Sequence, residues 1–282
     1  GHRHPGDPVG GICPLRLGKV MNILFIGDIV GAPGRRAVEE LLPRAVDRYC
    51  IDLVVANGEN ASGGIGITPQ VADFLLNQGV DVLTSGNHIW KHKEILPYLE
   101  DTDRLLRPAN YPPETTPGRG LAVVETAAGA PVAIINLEGR VFMNDIECPF
   151  RTVDRLLESL SPEVKVILVD IHAEATSEKQ AMGWHLDGRV SAVVGTHTHV
   201  QTADERILPG GTGYISDAGM TGPIDSVIGM KREIILERFL TQRPQPFRVA
   251  TQNMQLQGLV LKIDAQGRCQ EIRRVQLPLK PA

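Results

Sequence analysis

The chain has no cysteine framework. Its four cysteines, Cys13, Cys50, Cys148 and Cys269, are scattered over 282 residues with no C-x-x-C spacing. That excludes a thiolate zinc site or a disulfide-stapled scaffold and suits isolated reduced thiols in a cytoplasmic protein. No apolar run approaches the roughly 18 residues of a membrane span. There is no block of like charge, and a formal net charge of −4 gives no electrostatic reason to expect a stable nucleic-acid complex or a membrane partner. Internal repeats are absent. The G-x-S-x-G elbow, the G-x-x-x-x-G-K-[ST] loop and the H-E-x-x-H helix are all missing, which removes three common catalytic templates. Gly27 to Gly34 has the wrong spacing for a dinucleotide loop, and Pro33 interrupts it.

What is present is a chain that is 42% hydrophobic, enough for a large core. Residues 1–20 are rich in Gly and Pro, have no period, and lack the apolar centre of a signal peptide. They read as a disordered or vector-derived leader, with Met21 as the start, and His2 and His4 carry no functional weight. No later linker is long enough to require a boundary, so residues 21–282 read as one domain.

From Ile23 onward, short apolar runs alternate with helical periods. Ile23–Ile26, Leu53–Ala56 and Val80–Thr84 have strand length. Gly34 to Tyr49 has helical spacing, and Thr68 with Pro69 is an N-cap followed by a first-turn proline. This alternation predicts a parallel or mostly parallel sheet covered by helices. Leu121–Glu125 and Val132–Leu137 read as a hairpin. Val164–Asp170, Val190–Val194 and a run ending at Ile215 read as further strands. Thr152–Leu160, Thr176–Leu186 and Lys231–Leu240 read as helices. Leu256–Ile263 and Gln270–Leu277 read as a closing antiparallel pair.

In such sheets functional groups gather beyond the carboxyl ends of the strands. Five predicted strands end in Asp28, in Glu59 with Asn60, in Asn87 with His88, in His172, and in His197 with His199. On a strand, residues i and i+2 point the same way, so His197 and His199 are expected to aim two imidazoles at one place. Gly195 before them is expected to allow a sharp turn and the close approach of a ligand. Carboxylate, amide and imidazole are oxygen and nitrogen donors for hard or borderline divalent ions. There are too many for one tetrahedral zinc. The set suits two ions sharing a carboxylate, an arrangement that activates water and clamps a phosphoryl group.

The order Gly27-Asp28, Gly58-Glu59-Asn60, Gly86-Asn87-His88, His172, Gly195-Thr196-His197-Thr198-His199 resembles the calcineurin-like metallophosphoesterases over most of the chain after Met21. His172 to Lys179, Gly195 to Pro209 and Gly213 to Pro223 are similar to the YmdB-type branch, assigned as 2′,3′-cyclic-nucleotide phosphodiesterases. The resemblance implies an α/β fold, a four-layer α/β/β/α sandwich. It implies that Glu59 bridges two metal ions. Asp28, Asn60 and His199 would complete one site, Asn87, His172 and His197 the other, with His88 beside them. Two departures stand out. The wider superfamily opens with Asp-x-His, whereas Asp28 is followed by Ile29 and Val30, so Asn60 is expected to replace the missing imidazole. The acid that tends to follow Asn-His is Ile89-Trp90-Lys91 here, which leaves no obvious carboxylate to orient His88.

The expected activity is hydrolysis of a small phosphodiester or nucleotide, a 2′,3′-cyclic nucleotide above others. Hydroxide shared by two ions would attack phosphorus while His88 protonates the departing ribose oxygen. Manganese or iron suits the mixed donors, divalent or mixed-valence, with zinc as an alternative. Rival readings are a phosphomonoesterase or protein phosphatase of the same fold, a metallo-amidohydrolase, and a metal- or nucleotide-binding regulator with incidental activity. Self-association as a homo-oligomer stays open.

Overall fold

The computed structural model describes residues 20–280. Residues 1–19, the bulk of the expected leader, lie outside the described residues, as does Cys13. Val20 already belongs to the first strand.

Strands β1 (Val20–Ile26), β2 (Asp28–Ile29), β3 (Leu53–Asn57) and β4 (Val82–Thr84) alternate with helices α1 (Gly31–Tyr49) and α2 (Pro69–Asn77). A single 3-10 turn over Ile89–Lys91 leads to α3 (Ile95–Asp101). The middle of the chain supplies β5 (Leu121–Glu125), β6 (Pro131–Glu138), α4 (Pro149–Ser159), β7 (Val166–His172), α5 (Thr176–Leu186) and β8 (Ala192–Thr196). Then come β9 (Arg206–Ile207), β10 (Gly213–Ile215), β11 (Met220–Pro223), α6 (Arg232–Thr241), β12 (Met254–Asp264) and β13 (Cys269–Pro278).

These strands form two sheets. One runs β2-β11-β12-β1-β3-β4, with β13 also paired to β12; the other runs β5-β6-β7-β8-β10-β9. The parity of the apolar residues explains the arrangement. In β1, Ile23 and Phe25 pack against Ile134, Leu168 and Val194 of the other sheet. Leu24 and Ile26, on the opposite face, pack against Val38, Leu41 and Leu42 of α1 and Leu75 of α2. In the second sheet, Ile135, Val169 and Val193 face Val153 of α4 with Met182 and Leu186 of α5. A strand buried on both faces must be apolar at every position, which is why these runs show no alternation.

The parallel neighbours β1, β3 and β4 form as the alternation requires. The local pattern does not reveal that β12, from the far end of the chain, lies antiparallel against β1. The closing pair β12 and β13 thus completes the first sheet. Thr68 caps α2, its side chain accepting from Val71 N. Helix α3 and the short strands β2, β9 and β11 carry too few residues to show a period. Between β10 and β11, residues 216–219 carry the chain from one sheet to the other, a crossing that brings both sets of strand ends to one place. No helix among the described residues is long and apolar enough to cross a membrane.

Candidate active site

Asp28 opens β2, Glu59 and Asn60 follow β3, Asn87 and His88 follow β4, His172 ends β7, and His197 and His199 follow β8. Seven of these side chains form one connected cluster. Asp28 accepts from His197 N at 3.2 Å and lies 3.7 Å from His199 Nε2 and 3.9 Å from His172 Nδ1. Glu59 accepts from His88 N at 2.6 Å and lies 3.5 Å from His172 Nε2. Asn60 places its amide between His88 Nδ1 (2.9 Å) and His199 Nε2 (3.1 Å). Asn87 directly precedes His88. Asp28, Glu59 and His172 are fully buried.

Hydrogen bonding fixes the imidazoles from outside. His172 Nδ1 donates to Thr196 Oγ1 at 2.9 Å, and that hydroxyl donates to Asp170 Oδ1 at 2.7 Å. His199 Nδ1 donates to the carbonyl of Ile228 at 3.0 Å. His197 Nε2 lies 3.0 Å from Glu174 Oε2. Each ring therefore spends one nitrogen on an acceptor and turns the other, His172 Nε2, His199 Nε2 and His197 Nδ1, toward the cluster. An outer acceptor of this kind sets the tautomer and raises the basicity of the inner nitrogen. Asp28 Oδ1, Glu59 Oε2 and Asn87 Oδ1 are buried and have no hydrogen-bond partner. Each such oxygen costs about 1–3 kcal/mol, more for charged groups.

The His-x-His pair converges by a route other than the strand pleat. β8 ends at Thr196, and His197 (φ 96°) and His199 (φ 64°) both lie in the left-handed region, which costs residues other than glycine of order 1–3 kcal/mol each. Gly195 lies inside β8 and turns no corner. A Cβ there would stand 1.8 Å from the Ser216 carbonyl oxygen, so the glycine lets the crossover approach β8. Gly86 has a similar reason: a Cβ would fall 2.0 Å from the ring of His172.

Electrostatics mark the site as well. Burial alone would raise the Glu59 carboxyl, but His172 and His88 bring it down to about 2. Burial would lower His172, but Glu59, Asp28 and Asp170 hold it up at about 9. Burial and the neighbouring His172 charge push His197 down to about 3. His172 Nε2 lies 3.1 Å from His197 Nδ1. Burial keeps Asp28 above the usual carboxylate range, opposed by His199 and His172. Among the described residues no three His, Cys, Asp or Glu side chains stand as a finished metal cage; the inward nitrogens are paired with neighbours instead.

The sequence reading missed the supports. Asp170 shares a face of β7 with His172, two residues on, and a carboxylate inside an apolar run was the available signal. It accepts from Asn57 Nδ2, Thr84 Oγ1 and Thr196 Oγ1, and burial raises it to about 6. Glu174 carried no signal beyond lying near His172. The missing acid for His88 also has an answer: His88 Nδ1 lies 3.2 Å from Glu59 Oε1 as well as against Asn60.

The profile of the YmdB-like protein family matches residues 24–275. A Bacillus subtilis protein named 2′,3′-cyclic-nucleotide 2′-phosphodiesterase is 50% identical over 246 residues, covering 87% of this chain and 92% of that protein. A Thermus thermophilus crystal structure described as a hypothetical protein superposes with a TM-score of 0.86 at 46% identity, covering 92% of this chain and all of that one. The crystal structure of a phosphatase from Mycoplasma pneumoniae superposes with a TM-score of 0.87 at 32% identity, covering 93% and 95%. With a family match across most of its length and relatives this similar, the chain belongs to the YmdB-like family.

Proposed function

We propose that this chain is a metal-dependent phosphodiesterase that hydrolyses 2′,3′-cyclic nucleotides. In this reading Asp28, Glu59, Asn60 and His199 hold one divalent ion, and Glu59, Asn87, His172 and His197 hold the second. One observation carries it: three buried oxygens without hydrogen-bond partners, on Asp28, Glu59 and Asn87, lie at the strand ends that gather three imidazoles, each tied back so that its other nitrogen faces inward. The named activity of the Bacillus subtilis relative supports the substrate. The clusters on the two faces of each sheet support an α/β/β/α layer order.

Bound there, two divalent ions would acidify a water and neutralise charge on the phosphoryl oxygens. Manganese or iron suits these donors best. The chain's own groups do the rest. Thr196 and Asp170 keep the ring of His172 in register, Ile228 and Glu174 do so for His199 and His197, and His88 stands at the exposed rim beside Glu59 and Asn60. With its side chain 35% exposed, His88 can meet a substrate and hold a proton for the leaving ribose oxygen.

Asn60 now points Nδ2 at His199 and Oδ1 at His88. Its oxygen reaches the His199 side when the amide turns over. Asn60→Ala is therefore expected to weaken one ion more than the other. The loss should be at least the roughly 10–100-fold typical of an outer ligand partner, with activity partly regained at high Mn²⁺. Titrating turnover with Mn²⁺ checks this. A variant insensitive to Mn²⁺ concentration and as active as wild type contradicts it.

The test of the reaction class compares a 2′,3′-cyclic nucleotide with the phosphate monoester of the same nucleoside. Faster turnover of the diester is expected. Preference for the monoester would make the chain a phosphatase of the same fold.

A further inference from the structure

We infer that Asp217 and Lys179 are positioning residues of the site: their buried ion pair grips Thr198 and so fixes His197 and His199 against Asp28 where the two sheets meet. The inference rests on the reading that these histidines hold ions.

Lys179 comes from α5 and is 2% exposed; Asp217 lies in the crossover between β10 and β11 and is 0% exposed. Their charged ends meet at 3.0 Å. The same Asp217 oxygen, Oδ2, accepts from the backbone N of Thr198 at 3.0 Å and from its hydroxyl at 2.6 Å. The other, Oδ1, accepts from Gly219 N at 2.8 Å. Gly219 leads into Met220, the residue paired with Asp28 between β11 and β2. One carboxylate therefore ties the loop carrying both imidazoles to the backbone beside Asp28.

The grip falls where it is needed. Thr198 is flanked by two histidines with left-handed backbone, a shape that costs a residue with a Cβ free energy and persists only where its surroundings hold it. A small rotation about Thr198 would swing His197 and His199 together, and these two face different halves of the cluster. Lys179 makes the arrangement tolerable. A buried carboxylate without a counter-charge is costly, and here it would add negative charge next to Asp28. The Lys179 stem runs beside Gly195, where a Cβ would stand 2.9 Å from Cδ, so the absent side chain at 195 makes room for it.

Three variants of the whole chain test this. Thr198→Val removes the hydroxyl and keeps the ion pair; Thr198→Ser restores the hydroxyl. The double substitution Lys179→Met with Asp217→Asn removes both charges at once, so that no lone buried charge remains. Mn²⁺ binding to the metal-stripped protein is read by calorimetry, alongside thermal melting. Thr198→Val and the double variant are expected to bind Mn²⁺ roughly 10–100-fold more weakly, the range for loss of an outer partner, and Thr198→Ser to bind as wild type. Melting temperatures that fall while Mn²⁺ affinity stays at the wild-type value would reduce the pair to a structural role and overturn the inference. Should the double variant not fold, the Thr198 pair still decides. A wild-type protein that binds no Mn²⁺ would instead overturn the metal reading of the site.

Discussion

Glu59→Gln is expected to abolish turnover and to lower metal content. Glu59 is buried, its Oε1 lies between His88 and His172, and its Oε2 has no partner. As the proposed bridge, it supplies the charge that offsets two dications held close together. A glutamine keeps the shape but loses that charge, and its amide nitrogen cannot act as a donor to a metal. Metal-ion stabilisation of a phosphoryl transition state is worth several kcal/mol. At about 1.4 kcal/mol per tenfold, loss of the bridge corresponds to roughly a thousandfold or more in rate. Metal analysis and turnover measured on the same preparation check it. Two ions retained with wild-type turnover would show that Glu59 is not the bridge.

The second large effect concerns His88 and depends on the leaving group. His88 Nδ1 is occupied by Asn60 and Glu59, so its acid function would act from Nε2. A general acid matters in proportion to how badly the leaving group needs a proton. Ribose alkoxide leaves poorly; p-nitrophenolate leaves well unaided. Acid catalysis contributes about 10²–10⁴ in rate. His88→Ala is expected to lose a factor of that order on a 2′,3′-cyclic nucleotide, and much less on bis-p-nitrophenyl phosphate, with its metals retained. If both substrates suffer equally, His88 only orients the phosphate.

The strand ends could be read from the sequence because the runs before them are apolar on both faces, as Leu24 and Phe25 show in packing against different layers. That placed Asp28, Glu59, Asn60, Asn87, His172, His197 and His199 near one another, as the structure does. The pairing of β12 with β1 was hidden because it joins segments more than two hundred residues apart and leaves no local period. The aim of His197 and His199 was anticipated for the wrong reason. Their direction comes from left-handed backbone held by Asp217, which no glycine or asparagine at those positions announces. Asp170 and Thr196 were overlooked for a related reason: inside apolar runs they read as strand residues, and only their contact with His172 gives them a part.

The measurement that tests metal-dependent diester hydrolysis most directly is a Mn²⁺ titration of chelator-stripped protein, following turnover of a 2′,3′-cyclic nucleotide and bound metal together. The expected result is negligible turnover without metal, with activity rising as two equivalents bind. Full turnover by protein shown to contain no metal would contradict it.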